Sequence, residues 1–125
     1  MFVYGSLLYS FVWRYLIGRV PEMKIARIHG FRRYAVRDAF YPGLWYDKNT
    51  IVKGQFILGL STEEIACIDR YEGTEYQKSL ALVLVDGIEH KTMIYLRAPQ
   101  DEEEWMEDWD EVRFAKEGRM RFTLD

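Results

Sequence analysis

The sequence predicts an α+β domain in which a closed or strongly coiled sheet carries a few helices, and three observations lead there. Runs of β-forming residues at 23–37, 51–58, 77–85 and 88–96 occupy the middle of the chain, the last two joined by Asp86-Gly87, a two-residue hairpin turn. Residues 80–85 are almost continuously apolar, the pattern of a strand buried on both faces. Helix starts stand between and after these runs, most clearly Ser61-Thr62-Glu63-Glu64. A chain of 125 residues can build one core and not two, so a single domain over 1–125 is expected.

Taken in order, residues 2–4 read as a short strand stopped by Gly5. Ser10 can cap a helix over about 11–17, ended by Gly18 and sealed by Pro21. The strand at 23–37 is long and bent, with Gly30 as its bulge or kink. Tyr41-Pro42-Gly43 forms a turn, followed by a short strand at 44–46 and a separate one at 51–58. The Ser61 helix runs to Tyr71 or Glu72, with Gly73 beyond its end in the left-handed conformation. After the hairpin, Asp101 caps a last helix over about 102–116 that packs on the domain, with Glu104 as the reciprocal cap residue. In that helix Trp105 and Trp109 are four apart and so lie one above the other. Its acids come first and Arg113, Lys116, Arg119 and Arg121 last, which matches the helix dipole.

Composition narrows the function. Net charge is −3, without the excess of Lys and Arg on which a nucleic-acid binder depends, so no nucleic-acid partner is expected. The charge is uneven: residues 101–125 hold ten acids and four bases, and residues 1–100 ten acids and thirteen bases. A mildly cationic body suits a small carboxylated ligand. The acidic run is a solvated helix face or, alternatively, an interaction surface. The group Arg27, Arg32, Arg33 and Arg37 with Phe31 and Tyr34 reads as outer strand residues, with RNA on a sheet face as the competing reading. The single cysteine, Cys67, excludes an internal disulfide and a Cys-based zinc site, and falls where a small buried hydrophobe is needed. His29 and His90 have no ligand-spaced neighbours, so no metal and no cofactor are expected. No apolar run approaches the ~20 residues of a membrane span. The start lacks a basic leader, and a cytoplasmic protein is the expectation, acting as a monomer.

Two short segments carry the chemistry. Tyr4-Gly5-Ser6-Leu7 reads as a strand running into a glycine turn and then a helix, which leaves backbone N–H groups free to meet an anion. Many such turns are only structural, and the absence of a Gly-Lys-Ser/Thr ending argues against nucleotide. In Asp69-Arg70-Tyr71-Glu72-Gly73, Glu72 continues the apolar stripe of Ile65 and Ile68 at i, i+3 and i+7. Burial and the negative end of the helix dipole both disfavour its ionised form, so its pKa should rise toward neutrality, where a carboxyl can accept and return a proton. The plain alternative is a glutamate turned to water at a fraying helix end. Glu75 belongs to an exposed turn, and Asp69 is either a second pocket acid or a surface charge. Ser6, Ser10, Ser61 and Ser79 lack a nucleophile-elbow context.

The ordered set Phe2-Val3-Tyr4-Gly5-Ser6-Leu7, Gly30-Phe31-Arg32-Arg33-Tyr34, Tyr41-Pro42-Gly43-Leu44, Val52-Lys53-Gly54 and Asp69-Arg70-Tyr71-Glu72-Gly73-Thr74-Glu75-Tyr76 resembles the γ-glutamylcyclotransferase-like family, in particular its avirulence-induced-gene branch. The likeness covers roughly residues 2–97 in register. It implies a small mixed β-barrel with two or three flanking helices. It also implies a reaction in which the α-amine of a small γ-glutamyl substrate attacks its own γ-carbonyl, releasing 5-oxoproline and a free amine or amino acid. On the resemblance, Glu72 is the proton acceptor and donor. The loop of Tyr4, Gly5, Ser6, Leu7, Leu8 and Tyr9 cradles the glutamyl portion through its N–H groups, and Tyr95 is a lesser pocket candidate. Lys78 stands where the family usually has an arginine. The alternative function is a non-catalytic module that keeps the pocket for small-molecule binding or protein interaction.

Overall fold

Strands are the commonest element in the computed structural model, which describes the backbone of residues 1–123 and side chains through Glu117. In chain order the strands are β1 (Phe2–Val3), β2 (Glu22–Ala35), β3 (Pro42–Leu58), β4 (Gln77–Val85) and β5 (Ile88–Leu96). The helices are α1 (Ser10–Ile17), α2 (Thr62–Glu72), α3 (Glu102–Trp105) and α4 (Glu111–Thr123), with a single 3-10 turn at Ser6–Leu8. The sheet order is β1-β3-β2-β4-β5 and every pairing in it is antiparallel. The fold is therefore α+β, with a barrel-like sheet that curls without fully closing and a strand pattern simpler than a mixed barrel.

Local sequence explains much of this. Asp86 (φ 52°) and Gly87 (φ 76°) take the paired positive φ values of a type I′ turn, which matches the twist of the β4–β5 hairpin. Gly30 adopts φ 86°, and the β2–β3 register breaks there: His29 faces Ile51, whereas Phe31 faces Tyr46. Residues 47–50 are taken up opposite that one glycine, so the two strands expected at 44–46 and 51–58 are one continuous β3. At Gly54 a Cβ would strike the Val3 carbonyl, so β1 can pair this closely only because the residue is glycine.

The interior of the curl is filled by residues such as Phe2, Ile28, Leu44, Val83 and Ile94, all essentially inaccessible. A second cluster, including Val3, Leu7, Val12, Trp13, Ile57 and Ile68, joins the helices to the outside of the sheet. The helices cover only that part of the outer surface. On β4 this reverses an expectation: Val83 and Val85 are buried, but Leu80 and Leu82 are 60% and 58% exposed. The apolar run alternates in and out like any half-covered strand, since among the described residues nothing packs over its outer side chains.

Helix ends behave less uniformly than their sequences. In α2 the capping box forms in both directions, the Glu64 amide donating to the Ser61 hydroxyl at 3.1 Å and the Ser61 amide to the Glu64 carboxylate at 3.0 Å. Gly73 has φ 75° but ψ −171°, an extended glycine conformation and not the left-handed helical one. Gly18 does close α1 in that conformation, but Tyr9 is the N-cap and Ser10, the first helical residue, makes no capping bond. The single helix expected over 102–116 is two helices, α3 and α4, separated at 106–110. Asp110 restarts the helix as a second cap, accepting from the amides of Val112 and Arg113 at 3.0 and 3.1 Å. The two indoles consequently part: Trp105 meets the Tyr34 ring at 5.6 Å, and Trp109 the Phe114 ring at 5.6 Å. Glu104 does not complete a reciprocal cap, because its carboxylate turns inward to Arg97 and to the amides of Arg37 and Gln100. The side chains of Arg119 and Arg121 lie outside the described residues.

Candidate active site

Glu72 is the last residue of α2, one turn after the fully buried Ile68, so the apolar stripe carries it against the sheet as its spacing predicts. It opens onto a cavity of about 20 Å³, room for roughly one water. Tyr4, Gly5, Ser6 and Leu7 also line it, together with Phe2, Val3, Tyr41-Pro42, Tyr76 and Tyr95. The structure thus brings together Glu72, the start of the glycine loop and Tyr95, from three distant stretches of chain.

The Glu72 carboxyl is partly buried and, among the described residues, receives no hydrogen bond. Burial pushes its pKa up to about 7, and the negative charge of Asp69, one turn earlier, adds to the rise. Asp69 is itself held ionised: the Tyr95 hydroxyl donates to it at 2.6 Å and Lys78 at 3.1 Å, and its pKa is lowered, chiefly by the Tyr95 bond. Asp69 therefore sits beside the cavity as a fixed negative charge. The Tyr4 hydroxyl is buried, donates to the Tyr95 carbonyl at 2.5 Å, and has its pKa raised first by burial and then by Glu72.

The loop is narrower than the segment 4–9. The amides of Leu8 and Tyr9 donate to the carbonyls of Gly5 and Ser6 at 3.0 and 3.3 Å, closing the 3-10 turn, and neither residue lines the cavity. The Tyr9 side chain leaves for the C-terminal segment, where its hydroxyl reaches the Glu111 carbonyl at 3.0 Å. Among the described residues the amides of Gly5, Ser6 and Leu7 carry no hydrogen bond, so these three are the open donors. The Ser6 hydroxyl accepts from the Tyr71 hydroxyl at 2.8 Å. Gly5 answers to a neighbour within the protein: a Cβ there would come within 2.7 Å of the Pro42 ring.

Tyr41 and Tyr76 escaped the reading of candidate site residues, although both stand in segments that carried the family resemblance. The Tyr76 hydroxyl donates to the Pro42 carbonyl at 2.7 Å, and its ring meets that of Tyr41 at 6.1 Å, both rings lining the cavity. Glu75 is exposed, 3.4 Å from the Tyr41 hydroxyl. A larger cavity of about 490 Å³ lies between residues 35–40 and 103–114, but it contains neither Glu72 nor the free amides. Among the described residues no group of three His, Cys, Asp or Glu is placed to hold a metal ion, and no helix is long and apolar enough to cross a membrane.

A family model described as gamma-glutamyl cyclotransferase, AIG2-like, matches residues 1–111. AIG2-like protein D of Arabidopsis thaliana is 30% identical over the whole of this chain and 86% of its own length. A Methanocaldococcus jannaschii protein whose name begins with gamma-glutamylcyclotransferase is 27% identical over 78% of this chain and 45% of its own length. The solution structure of an Arabidopsis thaliana protein superposes with a TM-score of 0.75 at 26% identity, covering 98% of this chain and 76% of the other.

Proposed function

The chain belongs to the gamma-glutamyl cyclotransferase, AIG2-like family, and on that premise we propose that it releases 5-oxoproline from a γ-glutamyl amine or γ-glutamyl dipeptide by intramolecular aminolysis. The observation that carries this reading is the meeting of Glu72 and the unbonded Gly5–Leu7 amides in one cavity. The amides receive the α-carboxylate of the glutamyl group, as free N–H groups at a strand end receive anions. The bound chain curls so that its α-nitrogen touches its γ-carbonyl carbon, and this positioning supplies most of the rate.

Glu72, ionised in part at neutral pH because its pKa lies near 7, takes the proton from the attacking nitrogen as the new C–N bond forms. It returns that proton to the leaving nitrogen as the old C–N bond breaks. Asp69 stays charged throughout and keeps the Glu72 carboxyl basic enough for the first step. Tyr41, at the rim of the cavity, must swing outward to admit a substrate larger than the space now present. The proposed enzyme acts on a small substrate, in the cytoplasm, as a monomer.

The test is incubation with a panel of γ-glutamyl dipeptides and γ-glutamyl amines, scoring 5-oxoproline. Glu72→Gln should lower turnover by about 10²–10⁴-fold, the usual worth of a positioned general base, with the fold intact by circular dichroism. Turnover that survives this change would place the proton transfer elsewhere. The narrowness of the cavity favours one second reading, a module that binds a γ-glutamyl compound without turning it over. It would show ligand-induced thermal stabilisation with no product.

A further inference from the structure

Both walls of the candidate cavity are tied to the same short stretch near the C-terminus. On one side Arg33, in β2, donates from one guanidinium nitrogen to the Tyr4 carbonyl at 2.7 Å. Its other terminal nitrogen pairs with Glu111 at 2.8 Å, and its guanidinium lies 4.9 Å from the centre of the Trp109 ring. On the other side the Trp109 indole donates to the Phe40 carbonyl at 2.7 Å, one residue before the Tyr41-Pro42 wall.

We propose that Arg33 is a positioning residue that sets the direction of the amides at the start of the glycine loop, anchored in turn by Glu111 and Trp109. The inference rests on the reading of this cavity as a γ-glutamyl site. The Tyr4 carbonyl and the Gly5 N–H belong to the same planar trans unit and point in opposite directions. A donor holding that carbonyl therefore aims the N–H away from itself. Arg33 does not line the cavity, so the amide is turned from the Arg33 side. Glycine on one flank makes this peptide easy to rotate, which is why it needs an external hold. The Gly5 amide leads directly into those of Ser6 and Leu7.

Only a forked cation can hold Tyr4 and Glu111 together while lying over an indole, so arginine and lysine are not equivalent here. The acidic C-terminal segment thereby acquires a role at the site, although none of its described residues lines the cavity.

The proposal is tested with Arg33→Met, Arg33→Lys and Trp109→Phe, using γ-glutamylalanine as probe. Because an α-carboxylate cradle binds substrate and transition state alike, Arg33→Met should raise KM roughly tenfold with kcat kept within about threefold. Arg33→Lys should fall between it and the parent, and Trp109→Phe should give a smaller rise in KM. In nuclear magnetic resonance spectra the Gly5, Ser6 and Leu7 amide signals should move in Arg33→Met and partly return in Arg33→Lys. Unchanged KM and unmoved amide signals, with or without a loss of thermal stability, would overturn the proposal. So would a fall in kcat at constant KM. If the parent protein makes no 5-oxoproline, the catalytic reading fails, and the amide signals of Arg33→Met against the parent, with γ-glutamylalanine titrated into both, still decide whether Arg33 holds the loop.

Discussion

Glu72 ends α2 beside a cavity with no donor on its carboxyl among the described residues, whereas Glu104, in α3, is surrounded by donors. One Glu104 oxygen accepts from the Gln100 amide at 2.8 Å and from Arg97 at 3.0 Å, and the other from the Arg37 amide at 2.9 Å. Glu104 is the more deeply buried of the two, its side chain 1% exposed. Burial raises its pKa, yet the Arg37 and Gln100 amides and Arg97 outweigh that and the net shift is downward. At Glu72 burial acts with no donor to oppose it, and the pKa rises to about 7. The lesson is that depth alone does not decide a carboxyl's protonation; the supply of donors does. One of these glutamates is a structural anion, and the other is left poised for proton exchange.

The largest expected stability effect breaks the satisfied member of the pair. Glu104→Gln takes the close anion from the Arg97 guanidinium, itself 9% exposed, and leaves it only the exposed Glu75 carboxylate at 3.9 Å. It should cost about 3 kcal/mol in urea denaturation at pH 7. The sign with pH follows from the lowered pKa: this stabilisation is present above the unfolded carboxyl's range near 4.5 and is lost as pH falls through the folded value. The gap between Glu104→Gln and the parent should accordingly close in acid.

Glu72 should behave in the opposite sense. With its folded pKa raised from 4.5 to about 7, the native state binds the proton more tightly than the unfolded chain, so stability falls as pH climbs between those values. Glu72→Gln cannot ionise. It should gain about 2 kcal/mol over the parent at pH 8, allowing for solvent screening of a partly exposed carboxyl, and nothing at pH 4, measured by thermal melts. Equal melting curves at both pH values would mean that Glu72 is not desolvated.

The smallest effect sharpens the comparison. Asp69→Asn removes the second cause of the Glu72 shift, so the acidic limb of the pH–rate profile should move to lower pH by a fraction of a unit. A limb that stays in place would assign the whole shift to burial.

Features made by near neighbours in the chain were legible beforehand. The α2 capping box joins residues three apart, the hairpin turn two consecutive ones, and the kink in β2 rests on Gly30. The inward side of Glu72 followed from its spacing to Ile65 and Ile68. Glu104 was not legible, because within an acidic run it looks like its neighbours; Gln100 and Arg97 are near it in the chain, but only the approach of the segment after β2 brings the Arg37 amide to it. Leu80 and Leu82 misled for a related reason, since a β-forming residue looks the same whether or not a helix later covers it. Within the loop, Leu8 and Tyr9 spend their amides on the turn itself, which the pattern of residue types does not reveal. Gly5 answers to Pro42, thirty-seven positions away.

By itself, then, the order of residues determined where α2 begins and where the β4–β5 hairpin turns, which face of α2 carries Glu72, and the family to which the chain belongs, because these depend on interactions a few residues long or on the residue pattern itself. Tertiary structure alone decided which carboxyl would be satisfied and which left bare, where the C-terminal helix would break its run against the sheet, and which side of β4 would stay wet. Those outcomes depend on what stands across the fold from each side chain, and desolvation and hydrogen-bond supply exist only once the distant partners have met.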